Sequence, residues 1–284
     1  MIKYIHCFGT SYTAGGGHEF DATGPGRKPT GNYLQNLSKS YSEKWPNEEQ
    51  TLYNCSWPGQ LQKLLPSDVK VFNYAKSGYG NERMYKLAWE IIRDSNFNKN
   101  ENLFMFEFSA LGRKELWSNT LNDEIITNYN IDEKEDKFVY NGAANDYFYD
   151  SQDKINLIDK ISKEIIEPFY KETLSLVPKM RNLEMNNEFF LAYLNHNNIN
   201  FLLTAEPFYN AVGFRKENTI NFGENYKYIS FVNYFHDKDL TITKETNGKV
   251  IEGHMGMTGA KYIANCILKR LIELNFIKKE YLLI

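Results

Sequence analysis

Two polar residues at distant points of the chain have the chemistry and the setting for nucleophilic attack. Ser11 lies in Gly9-Thr10-Ser11-Tyr12-Thr13-Ala14-Gly15, directly after the apolar run from Tyr4 to Phe8. Glycines there let the backbone turn sharply and expose a hydroxyl. That hydroxyl is a poor nucleophile until a base takes its proton. The best base in the chain is His254, in Glu252-Gly253-His254-Met255-Gly256-Met257-Thr258-Gly259, a loop ahead of the last apolar-periodic stretch. Taken singly, each has an ordinary use: a turn or cap for the serine, a solvent-facing loop for the histidine. The pairing carries the expectation.

Other polar clusters suggest less. Gly15-Gly16-Gly17 has neither the Lys-Ser/Thr of a P-loop nor the GxGxxG of a dinucleotide fold. His6, His18, His196 and His236 have no metal-ligand spacing, and Cys7, Cys55 and Cys266 form no CxxC pair. No cofactor, metal or disulfide framework is therefore expected. His18, with Glu19 and Asp21 close behind the serine, either lines a cleft or belongs to a loop surface.

These residues need elements to hold them. Tyr4 to Phe8 reads as a buried strand, Val69 to Tyr74 as a second, Leu103 to Phe108 as a third and Ile199 to Ala205 as a fourth. Met84, Leu87, Ala88, Ile91 and Ile92 have helical spacing, as do Ile263, Ile267, Leu271 and Leu274, and a further helix is expected from about Leu183 to Leu194. Strands alternating with helices predict an α/β sandwich on a parallel sheet, with the site in loops at the strands' carboxyl ends. The stretch from about 114 to 153 breaks the alternation with mixed charge and weak periodicity, so it is expected to be an insertion over the sheet. Residues 17–45, rich in Gly, Pro and Ser, form a second irregular stretch, and 1–284 is read as one domain.

Composition narrows the function classes. The chain has 284 residues, 42% hydrophobic and 15% aromatic, enough for a large buried core. A net charge of −3 offers no broad basic footprint, which argues against nucleic acid. No apolar run reaches membrane-span length and the N-terminus lacks the pattern of a signal peptide, so a soluble protein of a reducing compartment, without a membrane partner, is expected. The abundance of asparagine is read as compositional bias.

Taken in order, three blocks resemble those of the SGNH or GDSL hydrolases. They are Phe8-Gly9-Thr10-Ser11-Tyr12-Thr13-Ala14-Gly15, then Asn73-Tyr74-Ala75-Lys76-Ser77-Gly78-Tyr79-Gly80-Asn81, then the loop around His254 running into Gly259-Ala260-Lys261-Tyr262. The resemblance implies a flavodoxin-like three-layer α/β/α sandwich with a parallel sheet. It also implies a serine ester hydrolase that removes an acyl group, often O-acetyl, from a carbohydrate or small ester. Ser11 would be the nucleophile and His254 the base. The Ser11 and Gly78 backbone N–H groups would form the oxyanion hole, each donor being worth roughly 3 kcal/mol.

The sequence departs from the family pattern at three places. Thr10 stands where the family has Asp beside the nucleophile, so the serine's loop is expected to be held differently. Ile251 stands where the family has the acid of its Asp-x-x-His block. Glu252 either takes that role as third catalytic residue or is a surface carboxylate, which leaves a Ser-His dyad. No asparagine follows the third strand; Asn81 is the substitute oxyanion donor, or else it caps its helix. Ser109 and Arg113 are candidates to face the cleft, Arg113 as a contact for an anionic substrate group or as one side of a salt bridge. Two other functions stay open: a binding module that keeps the fold and a sugar cleft without catalysis, and an O-acyltransferase using the same serine. Oligomeric state is not legible.

Overall fold

In a computed structural model the chain is described at residues 1–15, 53–75, 80–108, 113–118, 123–132, 137–143, 156, 160–161, 163–164, 168, 176–204, 245–246, 249–250, 257–278 and 280. Four short strands form its centre: β1 (Tyr4–Phe8), β2 (Lys70–Asn73), β3 (Asn102–Phe106) and β7 (Asn200–Leu203). They pair in the order β2-β1-β3-β7, all parallel. Counting only these strands, the order is 2-1-3-4, that of flavodoxin-like sheets. The expected parallel α/β architecture is what the chain adopts.

Side-chain alternation makes the sheet two-faced. Ile5 and Cys7 of β1, Leu103 and Met105 of β3, and Leu202 of β7 point to one side. There they meet α2 (Trp57–Leu64) and α5 (Met257–Glu273), through Trp57, Leu61, Ala260, Ile263, Ala264, Ile267 and Leu271. Phe8, Phe104, Phe106, Phe201 and Leu203 point to the other side. Met84 and Ala88 of α3 (Asn81–Ile92) and Leu191 and Leu194 of α4 (Leu176–His196) cover them. Three layers result, aliphatic on one face of the sheet and largely aromatic on the other. Phe8, Phe104, Phe106 and Phe108 stack in succession at 5.1–6.3 Å between centroids of neighbouring rings.

Local sequence explains where helices begin and end. Ser56 caps α2 by accepting from the Gly59 N–H, and Pro58 occupies the first turn, where a missing N–H costs nothing. The sequence reading missed this helix, although the Ser-Trp-Pro start is a helix signal. After α4 and after α5 the chain takes the left-handed conformation at Asn198 (φ 54°) and Asn275 (φ 58°). Each is the αL residue of a Schellman turn. Ile199 N–H bonds to Leu194 O and Asn198 N–H to Asn195 O, while Phe276 N–H bonds to Leu271 O and Asn275 N–H to Ile272 O. Some of the many asparagines therefore have defined structural uses.

The segment expected as an insertion after β3 carries strands of its own: β4 (Arg113–Ser118), β5 (Asp123–Asp132) and β6 (Lys137–Ala143), an antiparallel meander with a register shift between Thr127 and Tyr129. That bulge breaks the period of two, which is why the stretch shows so little periodicity. A two-residue pair, β8 (Glu245–Thr246) with β9 (Lys249–Val250), completes the described strands. No described helix is long and apolar enough to cross a membrane.

Candidate functional site

The strand order places a switch point beside β1. The chain leaves β1 for β2 on one side, then returns to β3 on the other, and open parallel sheets bind ligands outside the carboxyl ends of the strands beside such a point. Ser11 sits there. It is the first residue of a four-residue helical turn, α1 (Ser11–Ala14), entered directly from β1. Ala14 N–H bonds to Thr10 O at 2.9 Å to close the turn, and Gly15 leaves it at φ 88°, which a β-carbon would oppose.

The turn is tied from three neighbouring elements. At the end of β3, Glu107 is 1% exposed and bonds backward to β1, its N–H donating to Phe8 O at 2.9 Å. Its carboxylate accepts from the Thr10 hydroxyl on one oxygen, and from the Thr13 hydroxyl and the Thr13 N–H (2.9 Å) on the other. From α2, Trp57 Nε1 donates to Thr13 Oγ1 at 3.1 Å. From the end of β2, Asn73 Nδ2 donates to Thr13 O at 2.8 Å while its Oδ1 accepts from Ala75 N–H at 3.1 Å. Thr10 and Thr13 are both buried. A buried carboxylate without hydrogen bonds is costly, so these donors are what make Glu107 tenable at this position.

Gly9 leaves room for this arrangement. A β-carbon there would come within 2.6 Å of Thr13 Cβ and 2.8 Å of Glu107 Oε2. Its glycine is thus required by close packing under the turn.

Among the residues singled out by sequence, Ser11 and Asn81 fall in described backbone at the carboxyl edge of the sheet. Asn81 is the first residue of α3 and only 2% exposed. The N-cap is Gly80, so the alternative reading of Asn81 as the cap residue is corrected: Asn81 is the first residue inside the helix. Arg113 opens β4, opposite Asn128 of β5. His254, Glu252, Gly78, His18 and Ser109 lie outside the described residues.

Sequence reasoning missed Glu107, Thr13 and Trp57. The signal for Glu107 was a lone carboxylate inside Leu103-Phe104-Met105-Phe106-Glu107-Phe108, since a charge in a buried apolar strand is rare unless hydrogen bonded. The expectation that Thr10 would leave the serine loop differently held now has content: Thr10 lends its hydroxyl to a carboxylate from another strand.

Comparison of the chain with protein-family models, with curated proteins and with solved structures found no match.

Proposed function

We propose that the protein is a serine ester hydrolase of the SGNH type that removes an acyl group, O-acetyl foremost, from a carbohydrate or small ester. The observation that carries this reading is the position of Ser11: it opens a tightly tied turn at the carboxyl end of the inner strand β1, at the switch point of a parallel sheet. Ser11 attacks the ester carbonyl carbon, and His254 takes the hydroxyl proton and returns it to the leaving alcohol. Water then attacks the acyl-serine with His254 again as base, releasing the acid and restoring the hydroxyl. Glu252 orients the imidazole, and the Ser11 and Gly78 N–H groups with Asn81 bind the oxyanion. Arg113 and His18 are the candidate substrate contacts.

Hydrolysis of a chromogenic acetate ester tests the reading, together with covalent labelling by a fluorophosphonate. The wild type is expected to turn over the ester and to take the label at Ser11, and Ser11→Ala to lose both while keeping its unfolding midpoint. Turnover that survives in Ser11→Ala, or a wild type that neither turns over nor labels, overturns it. Acyl transfer to an added alcohol in preference to water would move the same serine to the transferase class.

A further inference from the structure

We infer that Glu107 is the positioning residue of Ser11: from the end of β3 its carboxylate clamps Thr10, just before the serine, and Thr13, two residues after it, and so fixes the backbone that carries the Ser11 hydroxyl and N–H. The clamp rests on geometry alone. Both carboxylate oxygens are engaged by the turn, one by the Thr10 hydroxyl and the other by the Thr13 hydroxyl and N–H. Each contact crosses from β3 to the segment after β1 and spans more than ninety positions in sequence, so local helix formation does not account for it. A four-residue turn has almost no stability of its own, because nucleation fixes several dihedrals for a single hydrogen bond. What holds it must come from outside.

The neighbourhood is arranged around the same carboxylate. Thr13 Oγ1 gives its proton to Glu107 and takes the Trp57 indole N–H on a lone pair, so the hydroxyl is fixed in direction. Gly9 has no side chain, and the carboxylate occupies the space beside where one would start. In the blocks this chain resembles, an Asp precedes the nucleophile; here that position holds a threonine, and the acid beneath the turn arrives from a different strand. For Ser11 the consequence is positional. Reacting groups must be held within a fraction of an ångström, and a displacement of about 1 Å can lower a rate about a hundredfold.

That Ser11 is a nucleophile rests on the hydrolase reading; the clamp does not, and two readouts keep them apart. The first is hydrogen exchange of the amides at 10–15, measured in wild type, Glu107→Gln, Thr10→Val and Thr10→Ser. Glutamine keeps the shape but brings an NH2 to one of the two donor sets, valine removes one hydroxyl, and serine retains it. Exchange at 10–15 is expected to rise about tenfold or more in Glu107→Gln and Thr10→Val, to stay at the wild-type rate in Thr10→Ser, and to be unchanged in α4 and α5 for all three. The second readout is fluorophosphonate labelling, expected to show a maximal rate lowered about ten- to a hundredfold in the same two variants, with the probe concentration for half-maximal rate unchanged and Thr10→Ser at the wild-type value. Wild-type exchange at 10–15 in folded Glu107→Gln and Thr10→Val overturns the clamp. Should Glu107→Gln fail to fold, Thr10→Val against Thr10→Ser decides alone. A wild type that never labels overturns the hydrolase reading, and exchange still decides the clamp.

Discussion

His6 shows how a single buried polar group couples this core to pH. Its ring lies within 5.1–5.9 Å of Phe104, Phe72 and Tyr74, and Nε2 shares a 2.7 Å hydrogen bond with Asn102 Oδ1, while Nδ1 has no hydrogen-bond partner among the described residues. Burial pushes the imidazole below its usual value of 6.5, and the Asn102 bond offsets part of that. The folded state thus prefers neutral His6, whereas the unfolded chain takes up its proton near pH 6.5. Between the lowered folded value and 6.5 the unfolded state binds more protons, so the contribution of His6 is complete above 6.5 and is lost as pH falls through that window. Urea midpoints of wild type and His6→Gln, compared at about pH 7.5 and about 5.5, should show a steeper acid loss in wild type. Equal slopes would mean that His6 does not titrate with unfolding. Ser11 and Glu107 complete the picture at this scale: one was visible as a residue type in a glycine-rich loop, the other only as an acid out of place in an apolar run.

At the scale of elements, strand and helix ends explain what was legible. The strands at Tyr4–Phe8 and Asn102–Phe106 are buried on both faces over most of their length, so they read as mainly apolar runs, interrupted in the first by His6; the second ends at Phe106, two residues short of the Leu103 to Phe108 run read in sequence. The helix at Met257–Glu273 was visible because its apolar positions recur around a single core-facing stripe. The helix at Trp57–Leu64 was not, since it spans two turns and its cap and proline carry the only signal. The meander was hidden by its bulge and by its polar residues. Asparagine at the helix ends was taken as bias, yet Asn198 and Asn275 occupy a conformation that opposes most side chains. Asn198→Ala should lower stability by about 1 kcal/mol and Asn198→Gly should be neutral or slightly stabilising. Thermal unfolding of both variants checks this; an alanine variant as stable as wild type would remove the cap from the account.

For the molecule as a whole, the parallel layer is continuous without the meander. Pairing runs β2-β1-β3-β7, and the antiparallel strands form a separate sheet attached between β3 and α4. Replacing 113–143 by a short Gly/Ser linker should therefore leave a cooperatively unfolding protein, since loop-closure cost grows slowly with length. Circular dichroism through a denaturant titration reads the outcome. A broad, non-cooperative transition would show that the meander belongs to the core. Fold class was legible from sequence because it follows from the alternation of strands and helices. The tie between β3 and the serine turn was not, because it joins residues ninety-four and ninety-seven positions apart through side chains whose types are common at any surface.

Trp57 has an optical consequence. Its indole is 2% exposed and donates to Thr13 Oγ1, one bond from the carboxylate that holds the serine turn. Buried among aliphatic side chains, it should emit at short wavelength, and any loosening of Thr13 should shift or quench that emission. With Trp45, Trp89 and Trp117 replaced by Phe, the remaining tryptophan would be a native fluorophore for the state of the turn, readable in a stopped-flow mixer on the timescale of substrate arrival.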